Sequence, residues 1–389
     1  MKLIKNARML EENGSFSEGM DILFEQKILK TGRNLTLECL SGDKNCEIFD
    51  AAGRYVTPGL IDAHCHIGIC ENGMGFEGED VNEITNPITP ALRGLDGINP
   101  MDQSFAEARE SGVTAVLTGP GSANVIGGQF CALKTCGNTL EEMMLKEPIA
   151  LKAALGENPK RCYNEKKASP MTRMATASLM REAFYKAEAY GRKKRAALNS
   201  GDMPEMDMGM ECLLDVLEKR LMLKIHCHRA DDIQTAIRIA EEFNINYTLD
   251  HCTEGYMMPD ALRAHNAKCI LGPILIGRPK IEMKNLNYGG AAVLEKAGIE
   301  FALSTDHPET PVQLLSASAA FLVRNGLSEA AALRAITVNA ARITGLDDRI
   351  GSLKAGLDAD IVVYDGHPLD VRTRVLMTVI NGRIVYGGL

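Results

Sequence analysis

The 389-residue chain contains no tryptophan, and aromatic residues make up only 5% of it. That scarcity argues against an oligosaccharide site or a base-stacking surface, which depends on exposed rings. No apolar run reaches the roughly 18 residues that a membrane-spanning helix needs. The opening "MKLIKNARML" has neither the apolar core nor the small-residue cleavage site of a secretory leader. Positive charge is also in short supply: 43 Lys and Arg against 51 Asp and Glu leave a formal charge of −8. This balance argues against nucleic acid or an anionic membrane as a partner. The Gly-rich stretch "GPGSANVIGGQF" is not a phosphate loop, because no Lys-Ser/Thr follows its glycines. The eleven cysteines show no repeating spacing, and several, such as Cys131 and Cys269, lie in apolar strand-like runs. They read as reduced, buried thiols of a cytoplasmic protein. The expected partner is a small-molecule substrate, and the expected assembly is a homo-oligomer.

The composition that is present, 45% apolar and 24% charged, is that of an ordinary globular chain. Short strand-like pieces punctuated by Gly and Asn occupy both ends, with "NG" at Asn381–Gly382 as a hairpin signal. Neither end can bury a core alone, so residues 1–55 and 347–389 are expected to fold together as one small β-sandwich domain. Between them, residues 56–346 offer eight strand candidates: "GLIDAHCH", "VTAVLTGP", "QFCALKT", "IALKAALGEN", "LMLKIHCH", "INYTLDHC", "AKCILGPIL" and "IEFALSTDH". Amphipathic helical stretches separate most of them, which predicts a (β/α)8 TIM barrel of the α/β class. A helical insertion is expected at about 160–205, its "GRKKRAAL" forming a solvated face. Thr310 and Pro311 read as the start of the next-to-last helix.

The histidines fall into a pattern on this frame. His64 and His66 end the first strand candidate, His226 and His228 the fifth, His251 the sixth, and Asp306 with His307 the eighth. Residues i and i+2 of a strand share a face, so each H-x-H pair projects together. The carboxyl ends of the strands are where such a barrel carries its active site. Six imidazoles crowded at one mouth would repel one another if protonated and leave donors unpaired if buried. A divalent cation resolves the conflict, and imidazoles with one or two carboxylates suit Zn²⁺, Mn²⁺ or Fe²⁺. The remaining two, His265 and His367, read as surface residues.

With "PGLIDAHCH", the strand-five His, "DHC", "STDHP" and "GSLKAGLDADIVVYD", the chain resembles the amidohydrolase superfamily of metal-dependent hydrolases along nearly its whole length. The nearest flavour is the imidazolonepropionase-like and dipeptidase-like branch. The resemblance implies hydrolysis of a C–N bond in an amide, lactam or ring imine. It implies that His64, His66 and Asp306 hold a buried metal, and that His226 and His251 hold a second, more exposed one if present. Two-metal members place a bridging carboxylate on strand four, a carboxylated lysine or a glutamate. Lys152 and Glu157 are the candidates here, and the strand-end position favours Glu157 as the ligand. Asp306 is then the proton carrier of the reaction. His228 or Arg229 could donate to a developing oxyanion, and His307 either holds Asp306 or merely starts a helix. Arg278 and Lys280, on the loop after strand seven, either clamp a substrate carboxylate or are solvated charges. A deaminase on the same scaffold is the alternative reaction, and a non-catalytic subunit of the same fold is the alternative role.

Overall fold

The terminal strands assemble first into view as a single sheet. The structure is a computed structural model describing residues 1–42, 46–203 and 205–389. Strands β1 (Lys2–Leu10), β2 (Phe16–Phe24), β3 (Ile28–Gly32), β4 (Glu47–Asp50) and β5 (Tyr55–Pro58) come from the start of the chain. Strands β6 (Leu60–Cys65), β7 (Val113–Thr118), β8 (Ile126–Lys134), β9 (Met144–Ala154), β10 (Met222–Cys227), β11 (Tyr247–His251), β12 (Cys269–Leu271) and β13 (Phe301–Leu303) follow. The last three are β14 (Ile361–Tyr364), β15 (Val375–Ile380) and β16 (Arg383–Gly387). The terminal sheet runs β16-β15-β14-β5-β1-β2-β3, with β4 also on β1, so both ends of the chain share one continuous sheet rather than two separate ones. Strand β5 belongs to this sheet, pairing antiparallel with β14, and the barrel begins at β6. The turn between β15 and β16 is Asn381–Gly382, both at positive φ (48° and 73°), as a two-residue hairpin of the primed type requires.

The second sheet, β6 through β13 in sequence order, is a nearly closed eight-stranded barrel. Its seam is stitched by Asp62: the Thr305 N–H donates to Asp62 Oδ1 at 3.1 Å, and the Thr305 hydroxyl donates to Oδ2. One bond further along, the Asp306 N–H donates to the His64 carbonyl at 3.1 Å. The seam therefore fixes the ends of β6 and β13 side by side.

One strand departs from the (β/α)8 pattern. β8 pairs antiparallel with both β7 and β9. A parallel neighbour needs a crossover of about a dozen residues or more, and the links 119–125 and 135–143 are shorter than that. The expected alternation of strand and helix fails here and holds elsewhere. The helical insertion forms as Glu157–Glu165 and the long Arg173–Ser200. Thr310 is buried and does not cap a helix: a 3-10 turn at Val312–Leu314 leads into the helix Leu315–Arg324. Cys131 and Cys269 are buried thiols as expected, but Cys39 and Cys46 are paired in a disulfide. No helix among the described residues is long and apolar enough to cross a membrane.

Candidate metal centre at the barrel mouth

His66, His251 and His228 are each oriented by the far nitrogen of the ring. His66 Nδ1 lies 2.7 Å from the Gly119 carbonyl, and His251 Nδ1 lies 2.7 Å from the Gly272 carbonyl. A carbonyl only accepts, so both rings carry their proton on Nδ1 and present a bare Nε2 lone pair inward. His228 Nδ1 meets the Thr253 hydroxyl at 2.7 Å. His64 Nδ1 stands 3.0 Å from Asp250 Oδ2, though off the hydrogen-bond direction, and its ring stacks on Phe130 at 5.2 Å between centroids. The inward atoms then converge. Asp306 Oδ1 is 3.4 Å from His64 Nε2 and 3.3 Å from His66 Nε2, and Lys152 Nζ is 3.2 Å from His64 Nε2. Among the described residues two groups have donor atoms mutually within 4.8 Å: His64, His251 and Asp306, and His226, His228 and His251.

Burial pushes His226, His228 and His251 well below the ordinary histidine range, and neighbouring imidazoles and lysines add to it. The rings are therefore neutral and able to donate lone pairs. Burial alone would raise the Asp306 carboxyl, but His251, His64 and His66 outweigh it and hold it well below the usual carboxylate range. Asp306 and His251 both take left-handed backbone angles (φ 55° and 71°). Such positions cost about 1–3 kcal/mol each and gather where function demands a particular side-chain aim.

The donor set fits a divalent cation. A tetrahedral ion with bonds of 2.0–2.2 Å spaces its ligands about 3.3–3.6 Å apart, which is the spacing of Asp306 to His64 and His66. The His226 Nδ1 atom is buried with no hydrogen-bond partner, a costly state that marks a ring held for something other than core packing.

Not every residue singled out in the sequence reaches this cluster. Glu157 does not: it opens the helix Glu157–Glu165, and its Oε2 accepts from the Glu282 N–H at 3.0 Å. It lies beyond the end of β9, where the chain has already turned into a helix, so the lumen register belongs to Lys152 instead. Lys152 is fully buried opposite Lys224, with both near Asp250. Its desolvation lowers the ammonium to about 8. Arg229 is held in a two-pronged pair with Asp231 (3.0 and 2.9 Å) and lines a neighbouring cavity with Glu157 and Arg173. Arg278 is exposed and donates to the Leu286 carbonyl at 2.7 Å, away from the cluster. His307 is buried behind His66, whose N–H donates to its carbonyl at 2.8 Å. Lys280 does reach the mouth. With His66, His226, Asp306, Arg161 and Asn158 it lines a cavity of about 760 Å³.

Three participants carried no sequence signal strong enough to find them. Asp250 precedes His251 and would be assigned to the outer face by strand alternation, yet it backs His64. Arg161 lies inside the insertion. Glu282 is a buried loop glutamate whose Oε1 is 3.3 Å from His226 Nε2 and 3.6 Å from His228 Nε2.

A nearly closed α/β barrel with a histidine–aspartate cluster at the carboxyl ends of its strands defines a barrel-type hydrolase scaffold. The profile described as the amidohydrolase family matches residues 55–385, and the chain belongs to that family. The crystal structure of an amidohydrolase from Thermotoga maritima MSB8 superposes with a TM-score of 0.95 at 42% identity, covering 100% of both chains. The amidohydrolase tasK of Hapsidospora irregularis is 30% identical over 86% of this chain, which spans only 37% of that relative's length. Imidazolonepropionase of Paracoccus denitrificans is 25% identical over 100% of both chains. Adenine deaminase of Listeria monocytogenes is 25% identical over 98% of this chain, which spans 61% of that enzyme.

Proposed function

We propose that the chain is a metal-dependent hydrolase that cleaves a C–N bond, amide or lactam, of a small molecule carrying an anionic group. The observation that carries this reading is the convergence of His64, His66, His251, Asp306 and Lys152, with His66 and Asp306 lining the same cavity as Lys280. Relatives acting on C–N bonds, imidazolonepropionase and adenine deaminase, support it. Zn²⁺ suits the neutral imidazole and carboxylate set, with Mn²⁺ or Fe²⁺ as the alternatives.

When bound, such a cation polarises the scissile carbonyl and acidifies a water. The chain's own groups do the rest. Asp306 turns Oδ1 towards His64 and His66, which leaves Oδ2 to take the proton from the attacking water and pass it to the leaving nitrogen. Asp250 flanks the outer edge of His64 at 3.0 Å, and the Gly119 and Gly272 carbonyls hold His66 and His251. Lys152, rather than Glu157, would hold the cations: addition of CO₂ to its neutral amine, with loss of a proton, would supply the carboxylate. Lys280 and Arg161 have no ion-pair partner among the described residues and face the cavity, where they bind the substrate's anion.

The test is a screen of metal-stripped and metal-reloaded protein on dipeptides, N-acyl amino acids, lactams and hydantoins, with free ammonia measured in parallel. Reloading is expected to restore turnover on a substrate bearing a carboxylate. Ammonia as a product would select the deaminase reading. Full turnover by the stripped protein would overturn the metal-dependent reading.

A further inference from the structure

Glu282 is out of place as a loop residue. It sits on the connection after β12, in the 3-10 turn Ile281–Met283, yet only 1% of it is exposed. Among the described residues no lysine or arginine pairs with its carboxylate. Its ion-pair neighbours among the described residues are His226 and His228, at 3.3 and 3.6 Å from Oε1 to the two Nε2 atoms, while Arg173, paired with Asp232, acts on it from a greater distance. A buried carboxylate with no lysine or arginine at ion-pair distance is costly by several kcal/mol when charged unless a cation compensates it. The two distances also match the ligand-to-ligand spacing of about 3.3–3.6 Å around a tetrahedral ion.

The placement of that carboxylate is built in. Glu282 Oε2 accepts the Glu157 N–H at 2.9 Å, and Glu157 Oε2 accepts the Glu282 N–H at 3.0 Å. This reciprocal pair fastens the loop to the exit of β9. Gly156 makes room for it: at φ 89°, a Cβ there would stand 2.8 Å from Glu282 Oε2 and 3.0 Å from Asp232 Oδ2. The cluster of His226, His228 and His251 contains no carboxylate of its own. Imidazoles bring no negative charge to a divalent ion, and Glu282 is a buried carboxylate within reach of two of the three.

We propose that Glu282 is a ligand of the outer metal, closing a His226–His228–Glu282 face, and that Glu157 is the positioning residue that latches it there. This inference rests on the metal-dependent reading above. It assigns His228 to holding metal, in place of the oxyanion role expected from sequence.

The experiment loads metal-free full-length protein with Zn²⁺, removes excess by gel filtration, and measures Zn per chain and the rate of Zn loss to a chelator. Four proteins are compared: wild type, Glu282→Gln, Glu282→Asp and Glu157→Ala. Glu282→Gln is expected to weaken the more loosely held Zn²⁺ by at least about tenfold, leaving the tighter one in place. Glu282→Asp should recover part of the loss. Glu157→Ala should speed release less, and should expose the 275–286 loop to limited proteolysis. Far-UV circular dichroism of the metal-free variants separates ligand loss from misfolding. If Glu282→Gln is misfolded, the Glu282→Asp and Glu157→Ala release rates decide. Unchanged Zn stoichiometry and release in all three variants would overturn the assignment while leaving the metal-dependent reading intact. Wild-type protein that takes up no Zn²⁺ would overturn both.

Discussion

At the scale of single residues, Asp306 is the sharpest case. It is ionised, it faces the cavity, and its backbone is held in a left-handed turn that aims the side chain. Asp306→Asn keeps the shape and removes the base proposed above. Loss of a general base costs about 10²–10⁴ in rate, so kcat should fall at least a hundredfold while KM moves less and part of the bound metal remains. Steady-state kinetics with metal analysis on the same preparation check this; near wild-type turnover would move the base elsewhere. The histidines were legible in the sequence because H-x-H on a strand has only one geometric meaning. Glu157 and Lys152 could not be ranked that way. The choice depends on where β9 stops, and strand ends are poorly marked in sequence. Glu282 was hidden for a different reason: a loop has no period, so nothing in "GRPKIEMKN" says which charge turns inward.

At the scale of elements, β8 shows what pattern reading misses. Its composition announces a strand but not a direction, and direction was decided by the lengths of the two flanking links. The reversal has a use, since Phe130 of β8 stacks on His64 and also faces the side-chain nitrogens of Lys152 and Lys224 at 5.8 and 5.6 Å from its ring centre. An aromatic face attracts cations and supports the ring beside it. Phe130→Ala should cost about 3–5 kcal/mol of stability, as truncation of a buried phenylalanine does. It should also loosen metal binding by freeing His64. Chemical denaturation of the metal-free protein gives the first quantity and chelator competition the second. Stability within 1 kcal/mol of wild type would show that the ring is not a packing support. The Asn381–Gly382 hairpin, by contrast, was readable from two letters, because few dipeptides accept two successive positive φ angles.

At the scale of the whole molecule, barrel and terminal sheet are joined by a buried charge cluster. Lys134, at the end of β8, lies 3.1 Å from Asp358 and 2.5 Å from Asp360, and Arg349 adds a second cation to Asp358 at 2.9 Å. Lys134 and both aspartates are buried. Removing one partner of a buried pair leaves the other charges uncompensated and costs about 3–5 kcal/mol. Lys134→Met is therefore expected to lower the unfolding free energy by that amount, with little effect on the candidate metal site at the opposite end of β8. An unfolding curve that splits into two transitions would show that the cluster couples the two sheets; an unchanged curve would show that it contributes nothing. That the two chain ends meet was legible from their matching strand-like composition, but the charge cluster that joins them to the barrel was not.

The pairing of β5 with β14 also sets an order of assembly in time. Residues 55–58 leave a ribosome some three hundred residues ahead of residues 361–364, an interval of about 15–60 s at ordinary elongation rates of about 5–20 residues per second. Throughout it, one side of β5 has no neighbour to bond with, and an open strand edge invites foreign pairing. The barrel's eight strands all emerge within that interval, so the barrel can close before its companion sheet is finished. The last thirty residues then act as the fastener of a nearly complete molecule, and chains interrupted short of β14 are the ones that quality-control proteases and holding chaperones would meet.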